Sequence, residues 1–384
     1  MMHQFKQELK KLKIDNNLRK SLTICNVDKN HILVHGNKKL NFSSNDYLSL
    51  SSSSYLKKKY SEGINNFGTS SSSSPLISGK SEVHESLEEQ LCAWQGYEAA
   101  ILFNSGYSAN QALIRLLTDQ DTLLLQDRLN HASLIEEGIL SPSKMFRFKH
   151  NDVEHLKTLL DKQFTHKIVI TEGIFSMDGD FGNIKEIHNI LKPSENEFIV
   201  DEAHSVGVIG KEGKGISDFL GIKPNIKVIT FGKAFGLSGA AILCDSELKD
   251  YFENKSKHYI YSTYMQPALA FALMSALKIV RTDNHRRLKL VQLSEAFHDE
   301  LSNRFQVVSR DSPIISIITG SNVNAIKLSE FLLHEGFLIF PIRPPTVPKN
   351  MSRIRITLNY SHKIDDVLRL AKTLNQYKGT FDAK

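Results

Sequence analysis

The stretch Lys227-Val228-Ile229-Thr230-Phe231-Gly232-Lys233-Ala234-Phe235-Gly236 contains a short apolar, β-branched run that stops at a glycine and a lysine. Val228 and Ile229 read as a buried parallel strand, and Lys233 sits where that strand hands the chain to a loop. Ligands of open α/β sheets bind just beyond the carboxyl ends of strands. Gly232 and Gly236 let the backbone approach a ligand closely, so Lys233 is placed for Schiff-base chemistry. On its own the pattern also describes a surface lysine on a βα turn; the rest of the chain decides.

Outward from this stretch, other apolar runs end in polar segments. Ala99 to Phe103 leads to Asn104-Ser105-Gly106-Tyr107 and a helix ending near Leu117. Thr122 to Leu125 precedes Asp127-Arg128-Leu129-Asn130-His131-Ala132-Ser133, and Ile168 to Ile170 precedes Thr171 to Asp180. Phe198 to Val200 runs into Asp201-Glu202-Ala203-His204, and Ala241 to Leu243 is a further strand. Strands with helical patterns between them predict an α/β fold, a large and mostly parallel sheet covered by helices. Polar residues gather at the strands' carboxyl ends, which points to one site. Beyond a buried helix at about Pro267 to Arg281 the pattern shifts. Strands at Val307-Val308, Ile314 to Ile318, Leu338 to Phe340 and Arg353 to Leu358 alternate with helices, a smaller C-terminal α+β domain. The expected division is an arm with short strands over 1–42, a large domain over 43–281 and the α+β domain over 282–384.

The 384 residues are 41% apolar and 23% charged, as in a soluble globular protein, with a formal charge of +6. The basic arm (Lys6, Lys10, Lys11, Lys13, Arg19, Lys20) lacks the aromatic platform or zinc motif of a nucleic-acid binder, so no nucleic acid is expected. It reads as an amphipathic arm with Phe5, Leu9 and Leu12 inward. Three scattered cysteines make neither a disulfide framework nor a metal pair, which suits a reducing cytoplasm. No signal-peptide core follows Met1 and no apolar run is long enough to span a membrane. Two motifs fail on inspection. A P-loop ending at Gly79-Lys80-Ser81 would need a glycine where Ser74 stands, and a zinc-protease pattern at His334-Glu335 meets Leu338 instead of a second histidine. Two serine runs, Ser51 to Ser54 and Ser70 to Ser74, read as loops.

Asp201 is a carboxylate at the mouth of a buried strand. Opposite a pyridinium nitrogen it would favour the protonated ring by roughly 1–3 pKa units. His204 can hydrogen-bond a phenolic oxygen, and His131 can stack on a flat ring. Ser105, Gly106 and Tyr107 open a helix whose N–H groups suit a phosphate. Each residue alone also has a plain structural reading as a strand-end cap or a turn histidine. Their order together with Lys233 is the specific signal.

The segments Asn41 to Leu48, Thr171 to Asp180, Val200 to His204, Thr230 to Lys233, Ile260 to Thr263 and Ile342 to Pro348 resemble the α-oxoamine synthases. These are pyridoxal 5'-phosphate enzymes of fold type I, and the resemblance runs from about Arg19 into the C-terminal domain. It implies that Lys233 holds the cofactor covalently and later moves the substrate's α-proton. Asp201 would pair with the ring nitrogen, His204 and Ser176 lie near the ring oxygen, and His131 stacks on the ring. Ser105, Gly106, Tyr107 and Thr230 would hold the phosphate, with Ser262 and Thr263 reaching in from the second subunit of a homodimer. Asn45, Arg343 and Thr346 would face substrate, Arg343 gripping a carboxylate, and Arg19 would hold the end of an acyl chain. No metal is implied. Within the family, Asp127 to Ser133 and Ile342 to Pro348 point to the member that joins L-alanine to pimeloyl-CoA or pimeloyl-acyl carrier protein in biotin biosynthesis.

Three positions depart from the family's pattern. Ser70 to Ser74 and Pro75 replace a glycine-rich stretch, and serine does not freely take the positive φ that glycine allows. Asn130 replaces the usual serine before the stacking histidine, and Val206 stands where threonine is common. The rival readings are another α-oxoamine synthase, such as glycine C-acetyltransferase, and a catalytically silent binding subunit. An intact Lys233 and Asp201 speak against the silent subunit.

Overall fold

The structure is a computed structural model that describes residues 2–28, 30–192, 196–379 and 381. Two compact units emerge. The larger comprises the described residues of Leu48–Phe175 and Phe181–Arg287, and the smaller those of Met1–Tyr47, Ser176–Asp180 and Leu288–Lys384. Residues 382–384 of the expected C-terminal domain lie outside the described residues, as does Met1 of the expected arm.

The larger unit is built on a seven-stranded sheet. Its spatial order is Ala99–Phe103, Ala240–Cys244, Ile226–Thr230, Glu197–Asp201, His166–Glu172, Thr122–Asp127 and Lys144–Phe148. Ala240–Cys244 runs antiparallel to both neighbours, and the pairs from Ile226–Thr230 to Lys144–Phe148 are parallel. The central strands are buried on both faces, which is why they read as continuous apolar runs. Leu123, Leu125, Phe148, Val169, Phe198 and Val200 pack against Leu156, Ile184, Ile187, Leu191 and Ile216 on one face. Ile184, Ile187 and Leu191 recur at helical spacing, so the Ile184–Leu191 helix offers one apolar stripe to the sheet.

Two elements here were hidden in the sequence. Lys144–Phe148 is an edge strand with three of its five residues only partly buried or exposed between its ends, so its pattern is blurred. The first serine run is also more than a loop. Ser53 caps the Ser54–Phe67 helix by accepting from the Leu56 amide at 3.4 Å. That helix packs closely on Pro267–Thr282, since a Cβ on Gly63 would lie 2.8 Å from the Ala268 carbonyl oxygen.

The smaller unit has a four-stranded sheet (Cys25–Asn26, His31–Val34, Asn37–Asn41, Phe337–Leu338) and a three-stranded one (Ile314–Gly320, Ser352–Thr357, Pro341–Ile342). Of the strand expected over Leu338 to Phe340 only Leu338 lies in a strand, a second short strand at Pro341–Ile342 belongs to the other sheet, and Val307 makes only an isolated bridge to Ile317. The arm forms a helix, Met2–Ile14, but Phe5, Leu9 and Leu12 are exposed and not inward. It is held at its C-terminal end, where Asn322 donates to the Asp15 carbonyl at 2.9 Å, and this leaves its apolar face to solvent. Among the described residues no helix is long and apolar enough to cross a membrane.

Candidate active site

Lys233 follows the Ile226–Thr230 strand on a loop that closes on itself. Phe231 N–H donates to the Gly239 carbonyl at 2.9 Å, Leu237 N–H to Phe231 at 3.0 Å, and Gly236 N–H to Lys233 at 2.9 Å. Phe231 and Phe235 are fully buried and meet edge to face at 5.2 Å, pinning the loop from below. Gly236 has φ +64°, and a Cβ there would lie 2.2 Å from the Ser51 nitrogen, so only glycine fits. The lysine is thus carried on a rigid loop, as a precise reactive group requires.

Two strands over, beyond Ala240–Cys244, Ser105 follows Ala99–Phe103 and caps the Gly106–Leu117 helix, accepting from the Ser108 amide at 3.1 Å. The amides of Gly106 and Tyr107 belong to the first turn, which has no preceding helical carbonyls to bind. Gly106 lies against Thr230, and a Cβ on it would fall 2.5 Å from Thr230 Cγ2. Thr230 Oγ1 is buried and has no hydrogen-bond partner. A helix start and a buried hydroxyl held this close suit a phosphate dianion. Ser262 and Thr263, both exposed, line a cavity of about 260 Å³ with Asn104, Ser105 and Ser108. Asn104 Nδ2 donates to the Thr263 carbonyl at 2.9 Å.

The second serine run braces that same segment. Tyr264 N–H donates to the Ser73 carbonyl at 2.9 Å, and Ser71 Oγ donates to the Tyr264 carbonyl at 2.8 Å. Ser72 takes φ +55° despite its side chain, with its amide on Ser70 Oγ at 3.0 Å. Local hydroxyl bonds therefore hold serine in the conformation that glycine adopts freely.

Asp201 ends the Glu197–Asp201 strand and is buried, with Oδ1 accepting the Ala203 amide at 2.9 Å and Oδ2 accepting Asn110 Nδ2 at 2.9 Å. His204 is buried three residues on. His131 caps the Ala132–Leu140 helix and leaves part of its ring exposed. Burial of the rest pushes its pKa down, with Lys233 acting the same way and Asp201 and Glu136 opposing. Glu172, fully enclosed beside Asp201, is pushed far up by burial and by the Asp201 charge, against the pull of Lys233. Asn130 anchors the turn before His131 by donating to the Ile170 carbonyl at 3.0 Å, and Val206 is simply buried.

The remaining expected residues fall in the smaller unit. Arg19 donates to Thr346 Oγ1 at 2.9 Å and to the Arg343 carbonyl at 3.2 Å. Arg343 Nη1 and Nη2 donate to the Asn16 and Leu18 carbonyls and its buried Nε has no partner, so Arg19, Arg343 and Thr346 tie down the arm. Ser176 and Asn45 instead meet at Arg355, which the sequence reading overlooked. Arg355 Nε donates to the Ser176 carbonyl at 2.6 Å and Nη1 to Asn45 Oδ1 at 3.0 Å, while the buried Nη2 has no partner. The available signal was two arginines, Arg353 and Arg355, alternating with isoleucines in Ser352–Thr357, a strand buried along its whole length.

The larger unit fits pyridoxal 5'-phosphate on these grounds: an unsatisfied Thr230 hydroxyl at a helix start, a held carboxylate, a half-open imidazole and a lysine whose charge acts on His131 and Glu172. Among the described residues no group of three or more His, Cys, Asp or Glu side chains is placed to hold a metal ion.

The family model described as aminotransferase class I and II matches residues 37–374. An 8-amino-7-oxononanoate synthase of Aliivibrio fischeri (strain ATCC 700601 / ES114) is 46% identical over 346 residues, 90% of each chain. The crystal structure of 8-amino-7-oxononanoate synthase from Francisella tularensis has a TM-score of 0.79 at 29% identity, covering 88% of this chain and 97% of that one. A Sphingomonas wittichii serine palmitoyltransferase, 23% identical, has a TM-score of 0.90 over 97% of this chain and 96% of its own, and shares the fold. The chain belongs to the class I and II aminotransferase family, of fold type I, and within it to the 8-amino-7-oxononanoate synthases.

Proposed function

We infer that the chain carries out the decarboxylative condensation of L-alanine with a pimeloyl thioester, giving 8-amino-7-oxononanoate, CO2 and the free thiol carrier for biotin biosynthesis. The observation that carries this reading is the gathering of Lys233, Asp201, His131 and the Gly106–Thr230 cradle at the carboxyl ends of strands of one sheet. Relatives 43–46% identical over about nine-tenths of the chain bear the same activity in their names.

Pyridoxal 5'-phosphate, when bound, supplies the electron sink that stabilises a carbanion at the amino acid's α-carbon. Lys233 would hold it covalently, and its Nζ would take the α-proton and return one to the product. Asp201 would keep the ring nitrogen protonated, His204 would bond the ring oxygen and His131 would cover the ring face. The Gly106 and Tyr107 amides with Thr230 would hold the phosphate. Arg355, whose buried Nη2 has no partner, joins Arg343, whose buried Nε has none, as a candidate for a substrate carboxylate. The working unit is a homodimer in which the exposed Ser262 and Thr263 serve the partner's phosphate. Cys25, Cys92 and Cys244 are unpaired, which suits the cytoplasm.

Purified protein should be given L-alanine with pimeloyl-CoA and, separately, with pimeloyl-acyl carrier protein. The aminoketone should appear by mass with at least one carrier and disappear in Lys233→Ala. Condensation of glycine with acetyl-CoA in preference to these pairs would replace the reading with a glycine C-acetyltransferase.

A further inference from the structure

Asn110, on the Gly106–Leu117 helix, and Ser133, in the first turn of the Ala132–Leu140 helix, are both buried and touch the site from behind. Asn110 Nδ2 lies 2.9 Å from Asp201 Oδ2 and 2.9 Å from Ser133 Oγ. Ser133 Oγ lies 2.8 Å from His131 Nδ1, and the Ser133 amide donates to the same nitrogen at 3.3 Å.

Hydrogen-bond bookkeeping gives this chain a direction. An ionised carboxylate only accepts, so the Asn110 atom facing Asp201 is its NH2 group. That group's second hydrogen points to Ser133 Oγ, which therefore accepts there and has its single proton left to give. The proton goes to His131 Nδ1, which already receives the Ser133 amide. A nitrogen that accepts twice carries no hydrogen, so the remaining ring proton must sit on Nε2.

We propose that Asn110 and Ser133 are positioning residues that fix His131 as its neutral Nε2–H tautomer through a hydrogen-bond chain starting at Asp201. The consequence rests on the pyridoxal-phosphate reading: Asp201 makes the cofactor ring cationic, and a neutral imidazole can lie on such a ring where an imidazolium would be repelled. The charges facing the imidazole are Asp201, Glu136 of its own helix, Lys233 and the Glu172 carboxyl, which takes the His131 backbone N–H. Asp201 and Glu136 would favour a protonated ring. The two donors on Nδ1, with Lys233 and burial, oppose them.

The test is nitrogen-15 NMR of the full-length protein as purified, labelled in histidine, with His131 identified by the signal lost in His131→Asn. Wild type should show a protonated Nε2 and a bare Nδ1 from about pH 6 to about pH 8. Ser133→Ala removes one donor, and the populations of the other ring forms should rise about three- to tenfold. Asn110→Ala frees the hydroxyl to accept and should shift them the same way, with thermal unfolding confirming that each variant is folded. The acid limb of the kcat–pH profile should move to higher pH in Ser133→Ala, which a merely structural role would not produce. A protonated Nδ1 in wild type overturns the proposal whether or not the variants fold, as does an unchanged spectrum in folded Ser133→Ala. A colourless protein with the Nε2–H signature would contradict the cofactor reading and leave the tautomer assignment standing.

Discussion

Gly106→Ala tests whether the phosphate cradle is set by the contact between a helix start and a strand end. The backbone at Gly106 does not lie at positive φ, so the cost of alanine is packing and not strain. The added Cβ would stand 2.5 Å from Thr230 Cγ2, more than an ångström inside van der Waals contact. Thr230 is β-branched and stiff at χ1, so its methyl cannot swing aside cheaply. Overpacking of this kind costs about 1–3 kcal/mol. If the helix start yields, the amides leave the phosphate and cofactor affinity should fall about 5- to 150-fold. The assay is a titration of cofactor into depleted protein, followed by absorbance, with unfolding measured in parallel. Thr230→Ser removes Cγ2 and keeps the hydroxyl, so it should bind nearly as wild type and should rescue Gly106→Ala in the double variant. Coupling between touching residues is typically about 0.5–3 kcal/mol, large enough to read. A double variant that binds no more tightly than Gly106→Ala would refute the reasoning.

Arg355→Lys loses the fork at Nη2, and kcat/KM for the amino acid should fall at least about tenfold with a smaller change in the KM for the thioester; equal changes in both would point to a purely structural arginine. Mixed Lys233→Ala and Thr263→Ala chains, exchanged into heterodimers, should regain activity above either parent through one intact site. If a verified heterodimer shows no gain while Thr263→Ala alone is impaired, Thr263 serves its own chain. His362 is buried against Phe42, stacked at 4.1 Å, and burial pushes its pKa from 6.5 down to about 4. The unfolded chain therefore binds this proton first, and stability falls as pH drops from 6.5 towards 4. From about pH 7 to about pH 5 this residue should cost about 2 kcal/mol, read as a urea-midpoint difference that His362→Gln largely removes. The same pH slope in both proteins would contradict that assignment.

What the sequence made legible follows from how locally each feature is encoded. Val228-Ile229 and Phe198-Ile199-Val200 are buried on both faces, so their apolar runs announce strands, and Lys233 and Asp201 are read directly off the strand ends. Gly106 and Ser105 are legible as a helix start for the same reason. Arg355 was not, because its partners Asn45 and Ser176 lie 310 and 179 residues away and only folding brings them together. Asn110 and Ser133 were missed too, since each looks like an ordinary helix polar residue until Asp201 is placed beside them. Composition marks the serine runs as loops, which Ser51 to Ser53 and Ser70 to Ser74 are, but not that Ser53 caps a helix starting at Ser54 or that Ser71 and Ser73 bond to Tyr264. The arm misled in the opposite sense: helical spacing of Phe5, Leu9 and Leu12 specifies a face, but not that anything covers it.

The most direct test of the account follows the alanine carboxyl carbon. With L-alanine labelled there with carbon-13 and a pimeloyl thioester, the label should leave as CO2 while the rest of the alanine carbon appears in the aminoketone, one CO2 per thiol released. Retention of the label in pyruvate, with no aminoketone formed, would make the chain an aminotransferase and contradict the condensation assigned to this site.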